Sequence, residues 1–271
     1  MKKVAIVTGA SSGIGKATAI ALSEAGYKVW VGARRTDKLK TLNDYGITAR
    51  KLDVTDDASM KKFMSDILKT EKRIDILVNN AGYGSYGAIE DVTMIEARRQ
   101  IEVNLFGLAR MTQLVLPTMR KQKSGKVVNI TSIGGKVATP FGGWYHASKF
   151  AVEGLSDSLR NEVKQFGIDV IVIEPGGIKT EWGEIAMSGL METSGKTAYA
   201  TMAKQAEKAF GQIDSRTPGP ALIANLIVKA ISAKSPKARY RAGHMARTAS
   251  FRPFISDKIF DSIITRQLRD K

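Results

Sequence analysis

Tyr145 and Lys149 stand four residues apart in Tyr145-His-Ala-Ser-Lys149. On a helix that spacing puts both side chains on one face, one turn apart. A free phenol, with a pKa of about 10, is a weak acid near neutrality, and an adjacent ammonium favours phenolate and lowers that value. The pair therefore predicts a phenol tuned to exchange a proton. Ser132 ends the preceding strand pattern, where it can hydrogen-bond a substrate oxygen and stabilise charge developing there. Alone, Tyr-x-x-x-Lys is also an ordinary helical surface pair, so its meaning depends on what surrounds it.

Upstream, Thr8-Gly9-Ala10-Ser11-Ser12-Gly13-Ile14-Gly15 follows an apolar run and opens a helical pattern. In that context Gly9 permits a tight turn, Gly13 lets the backbone approach a pyrophosphate, and Gly15 lets the helix sit close to the sheet. Ser11, Ser12 and Ile14 complete the loop, and the free N–H groups of the helix start meet phosphates. The spacing G-x-x-x-G-x-G departs from the G-x-G-x-x-G fingerprint. An NAD site would end the second strand in a carboxylate for the ribose 2′-hydroxyl, but here Ala33 is followed by Arg34-Arg35. A guanidinium grips a 2′-phosphate that a carboxylate would repel, so NADP(H) is expected over NAD(H). The bland alternative for the arginines is surface charge. Asp53, beside Val54 at the end of the third strand, is placed to accept from an adenine amino group.

Strand-like runs alternate with helical ones: Val4–Val7, Lys28–Gly32, Thr48–Leu52, Ile74–Val78, Lys126–Ile130 and Asp169–Ile173, with crossover helices over Lys16–Glu24, Ser59–Lys69, Met94–Gln122 and Ser148–Gln165. This rhythm gives a parallel sheet covered on both faces, with ligands at the switch in strand order. Beyond Thr180 the pattern changes. Residues 181–195 show no clear period, Lys196–Phe210 and the stretch from Pro220 to Ser232 read as helices, Arg239–Arg241 as a short strand, and Pro253–Leu268 as an amphipathic helix. One domain, 1–271, is expected, with 181–271 carrying a substrate loop or lid and a C-terminal extension.

The hydrophobic fraction of 43% is ample for a core. No apolar run approaches the roughly 18 residues of a membrane span, and Met1–Val7 reads as a buried strand rather than a signal peptide. The chain has no cysteine and only two histidines, His146 and His244. Thiol chemistry is thereby excluded, no metal site is expected, and a reducing cytoplasm fits. His146 reads as a structural neighbour of Tyr145. The net charge of +16 is scattered, with a local excess from Lys237 through Arg269 and Lys271 against Asp257, Asp261 and Asp270. It reads as a solvated surface that steers an anionic cofactor, and no nucleic-acid-reading motif accompanies it. A stripe of Phe254, Ile255, Ile259, Ile263 and Ile264 offers either a membrane-surface contact or, the commoner case, packing against the chain itself or a twin subunit.

Taken in order, Thr8–Gly15, Asn79-Asn-Ala-Gly82, Asn104, Ser132, Tyr145–Lys149 and Pro175-Gly-Gly-Ile-Lys-Thr180 resemble the short-chain dehydrogenase/reductase family over residues 1–180, and more loosely beyond. The resemblance implies an α/β, single-domain Rossmann fold: a doubly wound parallel sheet of about seven strands with helices on both faces. It also implies NAD(P)-dependent interconversion of a carbonyl and an alcohol. Of the catalytic set Asn104, Ser132, Tyr145 and Lys149, it assigns Asn104 to a water-linked proton relay through Lys149, and gives Lys149 the nicotinamide ribose as well. Asn79, Ala81 and Gly82 would line the adenosine side. Pro175, Gly176, Ile178 and Thr180 would border the nicotinamide, with Ile178 and Thr180 on its carboxamide and Arg34 reading the 2′-phosphate. The extended basic C-terminus resembles the 17-beta-hydroxysteroid and retinol dehydrogenase-like branch, which implies a hydrophobic small-molecule substrate among Tyr86, Phe141, Trp144, Trp182, Met187 and Leu190. Family members associate through two long helices, so a homodimer or homotetramer is expected. The rival class is an NADP-sensing protein without turnover, against which the intact Ser132, Tyr145, Lys149 and Asn104 argue.

Overall fold

A computed structural model describes residues 2–211 and 217–267. Seven strands, β1 (Val4–Thr8), β2 (Lys28–Ala33), β3 (Thr48–Lys51), β4 (Ile76–Asn79), β5 (Gly125–Ile130), β6 (Ile168–Pro175) and β7 (Arg239–Ala242), form one parallel sheet in the order β3-β2-β1-β4-β5-β6-β7. The order reverses between β1 and β4, which opens a crevice at the strand C-termini there. Alternation along β1 splits its side chains between the two faces. Ala5 and Val7 enter one core with α1 (Gly13–Glu24) and α9 (Ala221–Ser232), while Val4 and Ile6 enter the other with α3 (Asp57–Glu71) and α5 (Leu108–Gln122). Each fully buried Val, Leu, Ile or Phe contributes roughly 1.5–3 kcal/mol, which fixes the register of these short strands.

The remaining helices are α2 (Thr36–Leu39), α4 (Met94–Ile101), α6 (Gly143–Val163), α7 (Glu181–Ser194), α8 (Ala200–Gly211) and α10 (Asp257–Gln267). Three of them differ from expectation. The stretch 94–122 is interrupted by a π-helical turn over Glu102–Gly107. Gly107 passes so near the Val54 carbonyl that a Cβ there would lie 2.6 Å from it. Residues 181–195, which show no period in sequence, are helical. The Thr180 hydroxyl caps that helix by accepting from the Trp182 amide, and Gly183 and Gly189, which blur the apolar pattern, face open space. The expected terminal helix starts later, as α10, after a 3-10 segment, Thr248–Phe254. Leu268, Arg269, Asp270 and Lys271 lie outside the described residues. Among the described residues no helix is long and apolar enough to cross a membrane. A third apolar cluster, built on α7 and α8 with Tyr86, Phe141 and Tyr145, sits beside the crevice.

Candidate active site

The glycine loop folds tightly because Gly9 and Gly13 take φ of +68° and +55°, a region that favours glycine. The Thr8 hydroxyl accepts from the amides of Asn80 and Ala81, at 3.1 and 3.0 Å, and the Asn80 amide group donates back to the carbonyls of Thr8 and Gly9. A Cβ on Gly15 would lie 2.4 Å from Asn80 Nδ2 and 2.5 Å from the Gly9 carbonyl oxygen. Ser12, the residue before α1, is extended and makes no side-chain cap. The first amides of α1 therefore begin at a cleft wall formed by Gly9, Ser11, Ser12, Gly13 and Ile14, with no capping oxygen. An uncapped helix start behind a glycine cradle fits a pyrophosphate.

Both arginines border this cleft. Arg35 donates to the Ser12 hydroxyl at 2.9 Å and to the Ser11 hydroxyl at 3.1 Å, and lies 3.5 Å from the Glu181 carboxylate. Arg34 is exposed and acts on Asp53 and Tyr83 through its charge. Asp53 accepts from the Thr55 amide and hydroxyl, at 3.0 and 2.7 Å. Burial raises its pKa, but those hydrogen bonds, with the charges of Arg34 and Arg99, bring it below the ordinary value. Val54, Ala81, Gly82, Pro175, Gly176, Ile178 and Thr180 also line the cleft. Asn79 does not. It points into the sheet core and donates to Thr112 Oγ1 and Asn129 Oδ1, both at 3.0 Å, because strand alternation gives the cleft to Asn80.

Tyr145 and Lys149 lie on α6, each 7% exposed. Ser132 faces the Tyr145 phenol and favours its phenolate, while the Ser132 hydroxyl accepts from the Gly134 amide at 3.0 Å. Lys149 donates to the Ile130 carbonyl at 3.0 Å, and its ammonium is 5.7 Å from the Tyr145 ring centre. The expected lowering of the phenol pKa is reversed here. Burial pushes Tyr145 up to about 12 despite the opposing effect of Ser132, and pushes Lys149 down to about 8 despite the Glu153 charge. Lys149 reaches past the phenol to a strand carbonyl, so burial prevails over the pairing that the spacing suggests.

Asn104 lies within the π-helical turn, fully buried. Its side chain accepts from the Tyr83 amide and donates to the Tyr83 carbonyl and the Ser148 hydroxyl. Those bonds hold the segment after Gly82. Of the expected substrate residues, Tyr86, Trp182 and Met187 line the cavity. Phe141 and Leu190 pack into the core behind it, and Trp144 does not line it.

Sequence reasoning missed a buried ionic cluster. Glu153 accepts from Thr131 Oγ1 (2.8 Å), Lys136 Nζ (2.8 Å) and Arg239 Nε (2.9 Å). Glu174, fully buried in β6, faces Arg241 in register on β7 and also pairs with Arg239 and Lys136. The available signal was a glutamate closing the apolar run Val170–Ile173, with arginines alternating on the neighbouring strand. His146 is likewise clamped: Nδ1 meets the Gly134 carbonyl at 3.0 Å, and Nε2 accepts from the Thr139 amide at 3.1 Å.

Comparison with known proteins places this geometry. The family model for short chain dehydrogenases matches residues 3–189. The chain is 36% identical to the 3-ketodihydrosphingosine reductase of Bacteroides thetaiotaomicron over 90% of its own length and 89% of that protein. It is 35% identical to the NADPH-dependent 3-dehydrocapnine reductase of Ornithobacterium rhinotracheale over 98% of each. A short-chain dehydrogenase from Streptomyces avermitilis superposes with a TM-score of 0.81 at 34% identity, covering 98% of this chain and 94% of that one. The glycine cradle, the crevice at the strand-order reversal and the Ser–Tyr–Lys group thus have one common explanation: this chain belongs to the short-chain dehydrogenase family of oxidoreductases.

Proposed function

We propose that this protein is an NADP(H)-dependent oxidoreductase that interconverts a carbonyl and an alcohol on a hydrophobic small molecule. The carrying observation is the buried Tyr145 phenol, with Ser132 and Lys149 beside it, at the apolar end of a cavity that begins at the glycine loop. NADP(H) supplies or accepts hydride when bound. Ser132 orients the substrate oxygen, Tyr145 gives or takes its proton, and Lys149 contributes positive charge to that site while in its ammonium form. Asn104 fixes the Gly82–Tyr83 wall that faces Lys149 and supports the proton relay. A phenol held at about 12 remains protonated at neutral pH, which suits the reductive direction.

Arg34 and Arg35, with no acidic residue between Gly32 and Thr36, favour the 2′-phosphate, as does the NADPH-dependent relative. The apolar walls Tyr86, Trp182 and Met187 favour an apolar ketone, and two relatives are named as a 3-ketodihydrosphingosine reductase and a 3-dehydrocapnine reductase. The expected quaternary state is a homodimer or homotetramer, and the exposed Ile95, Phe106 and Phe150 on α4, α6 and the π-helical turn fit such contacts. The test is NADPH oxidation with a panel of aliphatic and aromatic ketones. Parent protein should consume NADPH and Tyr145→Phe should lose at least about a hundredfold; equal rates in the two would remove Tyr145 as the acid.

A further inference from the structure

Past Ala242 the chain has almost no core of its own: among its described residues only Ala246 and Ala249 are fully buried. Yet α10 carries Phe260, Ile263 and Ile264 at spacing i, i+3, i+4, one face of a helix. That face, with Ile255 before it, lines the same cavity that holds Tyr145. Ile259 and Ile263, one turn apart at the edge of that face, are 57% and 43% exposed. Among the described residues, the polar contacts of α10 stay within its own segment. The Arg252 guanidinium donates to the Ile255 carbonyl at 2.9 Å, pairs with Asp257 and sits 4.4 Å from the centre of the Phe260 ring. No described hydrogen bond or ion pair ties α10 to α7 or α8.

An apolar helical face standing over a cavity is dehydrated only when something apolar fills the space. The cavity, about 1990 Å³, takes in the glycine-loop cleft as well as the space between Tyr145 and α10, so a bound nucleotide fills only part of its length. Aromatic rings lead away from the phenol. Tyr145 and Tyr86 are 6.0 Å apart by ring centres, as are Tyr86 and Phe210, and Met191 and α10 continue the wall. The apolar side chains share this lining with the exposed Ser188, Glu192, Lys196 and Glu207 and the half-buried Arg252, none of them a buried polar group that could register a second function on a rigid ring system.

We propose that α10 and Ile255 form the far wall of a site for a long, unbranched hydrocarbon chain, so that the substrate is a carbonyl or alcohol borne on an aliphatic tail. The inference rests on the carbonyl–alcohol reading above. It is tested with straight-chain methyl ketones from butanone to dodecanone and NADPH, each below its solubility limit. In the parent, kcat/KM should rise about two- to fourfold per methylene group until the wall is reached. Phe260→Ala with Ile264→Ala should lower the dodecanone-to-butanone ratio by about tenfold or more, and Ile264→Trp, which fills the site, should move the optimum to shorter ketones. Hydrogen exchange supplies a readout independent of turnover: dodecanone should slow exchange of the α10 amides and butanone should not. Equal losses on short and long ketones, or exchange indifferent to dodecanone, would overturn the tail site. Slowed exchange without any NADPH consumption would support that site and remove the redox reading instead.

Discussion

Thr131 donates its hydroxyl to Glu153 at 2.8 Å, so the residue before Ser132 is tied to the helical turn after Lys149. Lys136, which follows the short 3-10 turn that Ser132 opens, and Arg239 of β7 share that carboxylate. One buried charge thereby couples the strand end, the loop and the helix that carry the three hydroxyl and amine groups of the site.

Glu153 also counteracts the effect of burial on Lys149, whose pKa stands at about 8. Below that pH Lys149 is an ammonium, and above it a neutral amine. A reduction that needs the charge should therefore decline as pH rises through about 8. Glu153→Gln removes the opposing carboxylate, so the decline should begin at lower pH, and Glu153→Asp should restore part of the difference. Profiles of kcat/KM against pH for the three proteins check this, and superimposable breaks would show that Glu153 does not act through Lys149.

Glu174 is fully buried and faces Arg241 and Arg239. Removing one side of such a cluster strands the other, at a cost of about 3–5 kcal/mol. Glu174→Ala should lose that much in urea unfolding. The paired replacement Glu174→Met with Arg241→Met should lose clearly less.

His146 is neutral in the folded protein, because Nε2 accepts from the Thr139 amide while Nδ1 donates to the Gly134 carbonyl. Burial lowers its pKa from 6.5, with the Gly134 bond acting the other way. Between the lowered folded value and 6.5 the unfolded chain holds the extra proton, so this contribution is complete above 6.5 and fades as pH falls. His146→Phe should flatten that slope in denaturant titrations. It should also cost about 1–3 kcal/mol at neutral pH for the groups left unpaired.

Glu181 at the start of α7 lies 3.5 Å from Arg35 and 3.3 Å from Lys38, on the rim of the glycine loop. A 2′-phosphate held by Arg35 would compete with that carboxylate. Glu181→Gln should tighten NADPH binding about two- to fivefold, the scale of an exposed ion pair, while leaving NADH nearly unaffected. Arg34→Asp and Arg35→Asp should each weaken NADPH about 10- to 100-fold relative to NADH. Fluorescence titration of both nucleotides reads these ratios, and an unchanged preference in both arginine variants would reassign the phosphate.

A Cβ at Gly15 would press on the Asn80 side chain and the Gly9 carbonyl. Gly15→Ala should therefore cost about 1–3 kcal/mol and weaken nucleotide binding more than an alanine at Gly154, around which a Cβ meets nothing. Thermal unfolding and NADPH titration together check the pair.

The residues that speak through local rules were legible in the chain itself. The glycine loop between an apolar run and a helix, the i, i+4 pair Tyr145–Lys149, the arginines where a carboxylate would otherwise stand, and the strand–helix rhythm each follow from backbone geometry over a few residues. What needed the fold were relationships between distant segments. Whether Asn79 or Asn80 faces the cleft depends on strand register. The helix at 181–194 depends on packing against α8, and the buried Glu153–Arg239 and Glu174–Arg241 pairs join residues far apart in sequence. The acidity of Tyr145 belongs to the same group: spacing places an amine one turn away, but burial, which only the packed interior sets, governs the proton affinity of both groups.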